Sequence, residues 1–192
     1  MTRRYEMTAR AKAREQTREA ILDAAIELFV DTWYDEVTIA DVAATAGVSS
    51  QTVVNHFGSK IGLYVAGLAE RFAPAVRAQR AEAVPGDVES IVRTAVRDYE
   101  RTGEGTWRLL ALAERMPELL PIIEDGHRSH RDWVETIFAA EIERRPDEQD
   151  RFGDLLVVVL NVGTWRSLRR EQGLSQEATT EYLVTLVGAL LK

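Results

Sequence analysis

The stretch from Ile39 to Gly58 leaves the chain few choices of fold. Aliphatic residues at Ile39, Val42, Val48 and Val53 alternate with small and polar ones, with Ala43 in the first half and Gly47 between the halves. Two short helices that cross steeply need a small residue at the crossing, a turn residue that tolerates positive φ, and aliphatic buried positions. Ala43, Gly47 and the four aliphatics supply each requirement. The remaining face of the second segment, Ser50, Gln51, Thr52 and Asn55, is small and polar, which suits a helix whose N-terminal part enters a DNA major groove. An ordinary helical hairpin would use the same buried residues.

The periodicity elsewhere is also helical, which places the chain in the all-α class with about nine helices. Ile21, Leu22, Ala25, Ile26, Leu28 and Phe29 recur at spacings of three and four, predicting an amphipathic helix over 14–29. Thr38 and Asp41 form a capping-box pair ahead of the second helix, and Ser49 and Ser59 are positioned to cap the third and fourth. Val84-Pro85-Gly86-Asp87 is the clearest break and marks a boundary. Beyond it the pattern predicts helices near 87–101, 106–114, 117–144, 147–171 and 175–191, with Gly103-Glu104-Gly105 as an interhelical loop. The predicted organisation is a basic arm at 1–13, a helix-turn-helix domain at 14–74 with the motif itself at 38–57, and a second domain at 84–192.

Charge sharpens this division. The 192 residues hold 24 Lys+Arg and 31 Asp+Glu, a net charge of −7 that taken alone argues against a nucleic-acid partner. Residues 1–18, however, hold Arg3, Arg4, Arg10, Lys12, Arg14 and Arg18 against Glu6 and Glu15. A basic arm on an acidic body directs one end of the molecule towards an anionic partner. A solvated tail accounts for the same run. With no cysteine there is neither a disulfide scaffold nor a thiolate metal site, which suits a reducing compartment such as the cytoplasm. The longest aliphatic run, Leu155 to Leu160, is far below the roughly 20 residues of a membrane span, and no signal peptide is visible.

No catalytic constellation emerges, and neither a cofactor nor a metal is expected. Glu124 and His127 match half of a di-iron helical motif that needs a second copy and further carboxylates. Gly103-Glu104-Gly105 lacks the third glycine and the preceding strand of a dinucleotide site, and neither a nucleophile elbow nor a phosphate-binding loop is present.

Taken together, Thr17 to Phe29, Val37 to Ser49 and Thr52 to Lys60 resemble the first helix, second helix and turn, and recognition helix of the TetR family of bacterial transcriptional regulators. The resemblance is strong from Arg14 to Leu68, and fainter at Glu114 to Leu119 and at Thr164 to Ser175. It implies a homodimer that binds double-stranded operator DNA, with a helical C-terminal domain for a small-molecule effector. By this resemblance Thr38, His56 and Lys60 correspond to phosphate contacts. The resemblance likewise implies that Ser50, Gln51, Thr52 and Asn55 face base edges, with Ser49 counted in the same site; Gln51 is chemically best suited to adenine, and in a short helix it could equally meet a phosphate. Two positions depart from the family pattern. Val54 stands where a phosphate-contacting Tyr is common, and Trp33 stands where Gly is usual, a left-handed position that strains a bulky residue.

In the C-terminal domain, Tyr99, Trp107, Met116, Trp133, Phe138, Asn161 and Trp165 are candidates to line a mostly apolar effector cavity, with core packing as the alternative for each. His127, His130 and Arg131 could orient a polar or anionic ligand. The last two helices are apolar over a broad face at Leu155, Val159, Val162, Tyr182, Leu183, Leu186, Val187 and Leu190, a pattern that predicts dimerisation. The function expected is a ligand-released repressor on a pseudo-palindromic operator. The rival is a helical ligand-binding or interaction protein that keeps the helix-turn-helix only as scaffold.

Overall fold

A computed structural model describes residues 2–192, with side chains described from residue 10 onward. Arg3 and Arg4, part of the basic arm, therefore have side chains outside the described residues. Among the described residues the fold is all-helical with no strand. The chain divides into two compact units, Met1–Pro74 and Ala75–Lys192.

The first unit contains α1 (Thr2–Asp31), α2 (Ile39–Thr45), α3 (Ser50–Phe57) and α4 (Lys60–Gly67), which continues through a π-helical turn at Leu68–Phe72. α1 begins well before the helix expected from residue 14. Its apolar stripe packs on α2, α4 and the π turn, burying Ile21, Leu22, Ala25 and Phe29 with Val42, Val53, Leu63 and Leu68. At roughly 1.5–3 kcal/mol for each large side chain removed from water, this apolar set dominates the unit's stability. Two ion-pair sets fasten α1 to the π turn: Arg18 donates twice to Glu70, at 2.7 and 2.6 Å, and Arg71 pairs with Glu19 and Asp23.

Trp33 does not sit in a left-handed conformation. No non-glycine residue described has positive φ. The loop after α1 is instead closed by Thr32 N–H donating to Leu28 O and Glu36 N–H donating to Trp33 O, so the bulky residue fits without strain.

The second unit starts inside α5 (Ala73–Arg80), nine residues before the break read at Val84 to Asp87. That break is the turn leading into α6 (Val88–Ala113), where Asp87 caps the helix by accepting from Ser90 N–H at 3.0 Å. A 3₁₀ turn at Pro117–Leu119 then leads to α7 (Leu120–Ile137) and α8 (Ala139–Glu143). α9 (Gln149–Val159), α10 (Val162–Arg166) with a π turn at Ser167–Glu171, and α11 (Gln176–Leu190) complete the unit. Ile91, Ala95, Tyr99, Phe138, Leu156, Trp165 and Val187 belong to one buried cluster of this unit.

Two expectations are corrected here. The helices expected at 87–101 and 106–114 are one, and the glycine pair expected to form a loop lies within it. Gly103 is required by a partner 62 positions away, because a Cβ there would come within 2.4 Å of the Trp165 ring. The helix expected over 147–171 is broken at Leu160 and Asn161, where the Asn161 side chain accepts from Thr164 N–H at 2.9 Å and starts α10. The apolar run Leu155 to Leu160 ends α9 as a helix should.

Candidate nucleic-acid interface

Each helix of the motif is started by its own side-chain cap. Thr38 adopts an extended conformation and its hydroxyl oxygen accepts from Asp41 N–H at 3.1 Å. Asp41 returns the bond, accepting from Thr38 N–H at 2.8 Å and from the Thr38 hydroxyl at 2.6 Å. These bonds to Thr38 hold the Asp41 carboxyl below the usual carboxylate range. Ser49 caps α3 by accepting from Thr52 N–H, and Ser59 caps α4 by accepting from Gly62 N–H, both at 3.1 Å. Such caps satisfy amides that a short helix cannot pair internally.

The turn between α2 and α3 closes on Gly47, with φ +67, and Val48 N–H donates to Ala43 O at 2.9 Å. Val42, Ala43 and Val53 are buried at the crossing. The outer side of α3 then presents Ser50, Gln51, Val54 and Asn55, all exposed. Gln51 Nε2–H donates to Asn55 Oδ1 at 3.0 Å. Amide chemistry leaves Gln51 an acceptor and a second donor, and leaves Asn55 its donor pair, the groups needed for base edges in a major groove. Thr52 is half-buried and its hydroxyl is 2.8 Å from that of Ser49, so it belongs as much to the cap as to the outer face.

The residues matched to phosphate contacts differ in readiness. His56 is half-buried with its ring 6.1 Å from that of Phe57. Both donors of Thr38, its amide and its hydroxyl, are engaged by Asp41. The Lys60 ammonium lies 4.2 Å from the centre of the Tyr34 ring, and partial burial pulls its pKa below the ordinary lysine value against the attraction of Asp35 and Asp41. Val54 is 36% exposed and has no side-chain donor.

Arg18, counted with the basic arm, is turned inward. Besides its pair with Glu70, its guanidinium lies 5.3 Å from the Phe57 ring centre. Arg10, Lys12 and Arg14 are the exposed members of the arm whose side chains are described. Sequence reasoning missed Tyr34 and Gly62 in this region. A Cβ at Gly62 would fall 2.4 Å from Phe57 O, so α4 can start this close to the end of α3 only with glycine there. Spacing offers no signal for either, since both roles depend on neighbours brought in by the fold.

The candidates in the second unit fall into three places. Tyr99, His130 and Trp133 meet around the buried Arg80, which donates from Nη2 to Tyr99 OH at 3.1 Å and lies 3.0 Å from His130 Nδ1 through Nη1, while its backbone oxygen accepts from Trp133 Nε1–H at 3.1 Å. Arg80 Nε–H also donates to Asp98 at 3.0 Å. Burial pushes the Asp98 carboxyl up against the opposing pull of Arg80. It also lowers His130 to about 4, while His130 Nε2 faces Val157 O at 3.1 Å. With a carbonyl at Nε2 and a guanidinium N–H at Nδ1, the neutral Nε2–H tautomer satisfies both contacts.

Trp165 and Trp107 lie along a ladder between α6 and α10. Glu100 accepts from Trp165 Nε1–H at 2.9 Å and from Arg169, while Glu104 pairs with Arg166 and Arg170, and Arg166 lies 4.7 Å from the Trp107 ring centre. The remaining candidates are dispersed. Phe138 is fully buried, Met116 is half-buried, His127 is exposed, and Asn161 is the cap of α10. Arg131 is exposed and paired with Glu135 and Asp154. Among the described residues no group of three His, Cys, Asp or Glu could hold a metal ion.

The apolar face of the last helices divides as well. Leu183 and Val187 are in the core, and Val159, Val162 and Leu190 are half-buried. Leu155, Tyr182 and Leu186 stay exposed, together with Val158 at 57%. Among the described residues no helix is long and apolar enough to cross a membrane.

Residues 21–66 match the family model described as bacterial regulatory proteins, tetR family. A stretch of 69 residues, 34% of this chain, is 39% identical to the HTH-type transcriptional regulator AlkX of Mycobacterium tuberculosis, covering 33% of that protein. Another, of 53 residues and 28% of this chain, is 42% identical to the HTH-type transcriptional activator FasR of Mycolicibacterium smegmatis, covering 24% of it. The chain thus spans about a third or less of the length of these relatives. The fold is similar over nearly the whole chain to a TetR-family regulator from Mesorhizobium loti, with TM-score 0.73, 20% identity, and 93% of this chain and 96% of that one covered. A regulator from Rhodococcus gives TM-score 0.67 at 18% identity, covering 93% and 95%.

Proposed function

We propose, from the premise that this chain carries the N-terminal domain of the tetR family of bacterial regulatory proteins, that it is a DNA-binding transcriptional regulator and not an enzyme. The observation that carries this reading is α3 itself: a capped helix held across α2 by Ala43, Gly47 and Val53, with Gln51 and Asn55 exposed as a hydrogen-bonded amide pair. In this reading Gln51 and Asn55, with Ser50, meet base edges, and Lys60, His56 and the arm residues meet phosphates.

The working form is a cytoplasmic homodimer on a pseudo-palindromic operator, its half-sites one helical turn or a multiple apart. Leu155, Val158, Tyr182 and Leu186 are the exposed apolar residues that a second copy would cover. A small-molecule effector bound in the second unit favours a dimer state whose recognition helices are mis-spaced, weakening operator binding by the effector's differential affinity, typically ~1–3 kcal/mol. The regulator is a repressor released by that effector. Because one relative is named an activator, a reporter fused to the promoter, with and without the intact gene, decides the direction of control.

The direct test is binding to the promoter of the neighbouring gene across a salt series. Binding that falls steeply with salt and is abolished by Gln51→Ala combined with Lys60→Ala is the expected result. Absent or salt-independent binding favours the second reading, a helical interaction protein with a scaffold helix-turn-helix, for which the exposed Val54 is the motivating observation. A monomeric mass at micromolar concentration would count against the dimer.

A further inference from the structure

Lys60 is the first residue of α4. A cation there works against the helix dipole, which favours negative charge at an N-terminus. Its ammonium is nonetheless held in place, 4.2 Å from the centre of the Tyr34 ring. Tyr34 is itself fixed, its ring centroid 5.1 Å from that of Tyr64 and 5.9 Å from that of Phe29, two buried residues of the first unit's core. A cation on an aromatic face is attracted by the ring quadrupole, and the attraction grows as water is removed. A side chain set against its local electrostatics and supported by an aromatic stack is the pattern expected where function overrides local preference.

We propose that Tyr34 is a positioning residue for DNA binding: its ring seats the Lys60 ammonium at the start of α4 so that it meets a backbone phosphate without first being ordered. This rests on the DNA-binding reading above. Lysine is a flexible point charge on a four-carbon stem, and ordering it on contact would subtract from the gain of the contact. The seat prepays that ordering in the free protein. Asp35 and Asp41 are the carboxylates that attract Lys60 there, and an incoming phosphate takes over their role.

The probe is a fluorescent 30-base-pair duplex of arbitrary sequence, because a phosphate contact carries no sequence information. Binding of the full chain is measured from about 50 to 200 mM salt. Lys60→Ala should weaken binding roughly fivefold at the low-salt end and reduce the salt slope by about one for each Lys60 engaged. In a Tyr34→Leu background the same substitution should change affinity less than about twofold, whereas Tyr34→Phe, which keeps the ring, should behave as wild type.

Equal Lys60→Ala effects in both backgrounds would overturn the seat while leaving DNA binding standing, as would no Lys60→Ala effect at all. A wild-type chain that binds no duplex at any salt overturns both. Should Tyr34→Leu fail to fold, reductive ¹³C-methylation of the intact wild type supplies a second readout, since the chain has only Lys12, Lys60 and Lys192. The Lys60 signal should be shifted upfield by the ring and should move on duplex addition; an unshifted signal indifferent to duplex overturns the proposal.

Discussion

In the first unit the hydrogen bonds that shape α2 and α3 join residues three or four positions apart: Thr38 to Asp41, Ser49 to Thr52 and Gln51 to Asn55. In the second unit the guanidinium of Arg80 reaches Asp98, Tyr99 and His130, 18, 19 and 50 positions along the chain. The first set lies at the surface and the second is largely enclosed. Local exposed bonds fix where helices begin, and each can be altered with small cost. A buried charge cluster acts as a unit, because removing one member leaves the others without compensation in a low-dielectric interior.

The sharpest way to break this contrast is Asp98→Ala. It strands a buried guanidinium and should lower the unfolding free energy of the second unit by roughly 3–5 kcal/mol in urea titrations followed by circular dichroism. A loss below about 1 kcal/mol, the surface range, would erase the distinction.

Next in size is a pH effect. His130 is held neutral when folded, with its pKa lowered to about 4, against about 6.5 when unfolded. The unfolded chain therefore binds the extra proton between these values. The neutral histidine's contribution is whole above about pH 6.5 and is lost as pH falls towards 4, on the order of 3 kcal/mol in total. Urea midpoints at pH 7.5, 6 and 5 should fall more steeply for wild type than for His130→Gln, and parallel slopes would refute the assignment.

The smallest effect belongs to the first unit. Ser49→Ala removes only the α3 cap and should cost about 1 kcal/mol. A loss as large as that of Asp98→Ala would mean that the surface bonds of the motif are as interdependent as the buried cluster.

The same contrast explains what was legible in the sequence. Thr38, Ser49 and Ser59 all cap helices where spacing places them, because a cap is satisfied by an amide three residues on. Gly47 was readable for the same reason. The glycines of α6 read as a loop in the sequence because the cause of Gly103, the Trp165 ring, lies on another helix. Arg18 counted as part of a basic arm, yet its partner Glu70 is 52 positions away and no pattern links them. Asn161 caps α10 in the middle of what periodicity reads as one helix. Local chemistry is written in spacing, whereas a charge or a cavity wall is assigned by whatever the fold brings opposite it.

The indole of Trp165, closed against the bare backbone of Gly103, also has an optical consequence. Its relative exposure is 0%, while Trp33 is 47% exposed and is the first unit's single tryptophan. A dry, blue-emitting indole therefore coexists with wet, quencher-accessible ones, Trp33 in the first unit and Trp107, 39% exposed, in the second. Collisional quenching of intrinsic fluorescence thus separates the interior of the second unit from the surface, and in a Trp107→Phe variant the accessible fraction follows the helix-turn-helix unit chiefly through Trp33.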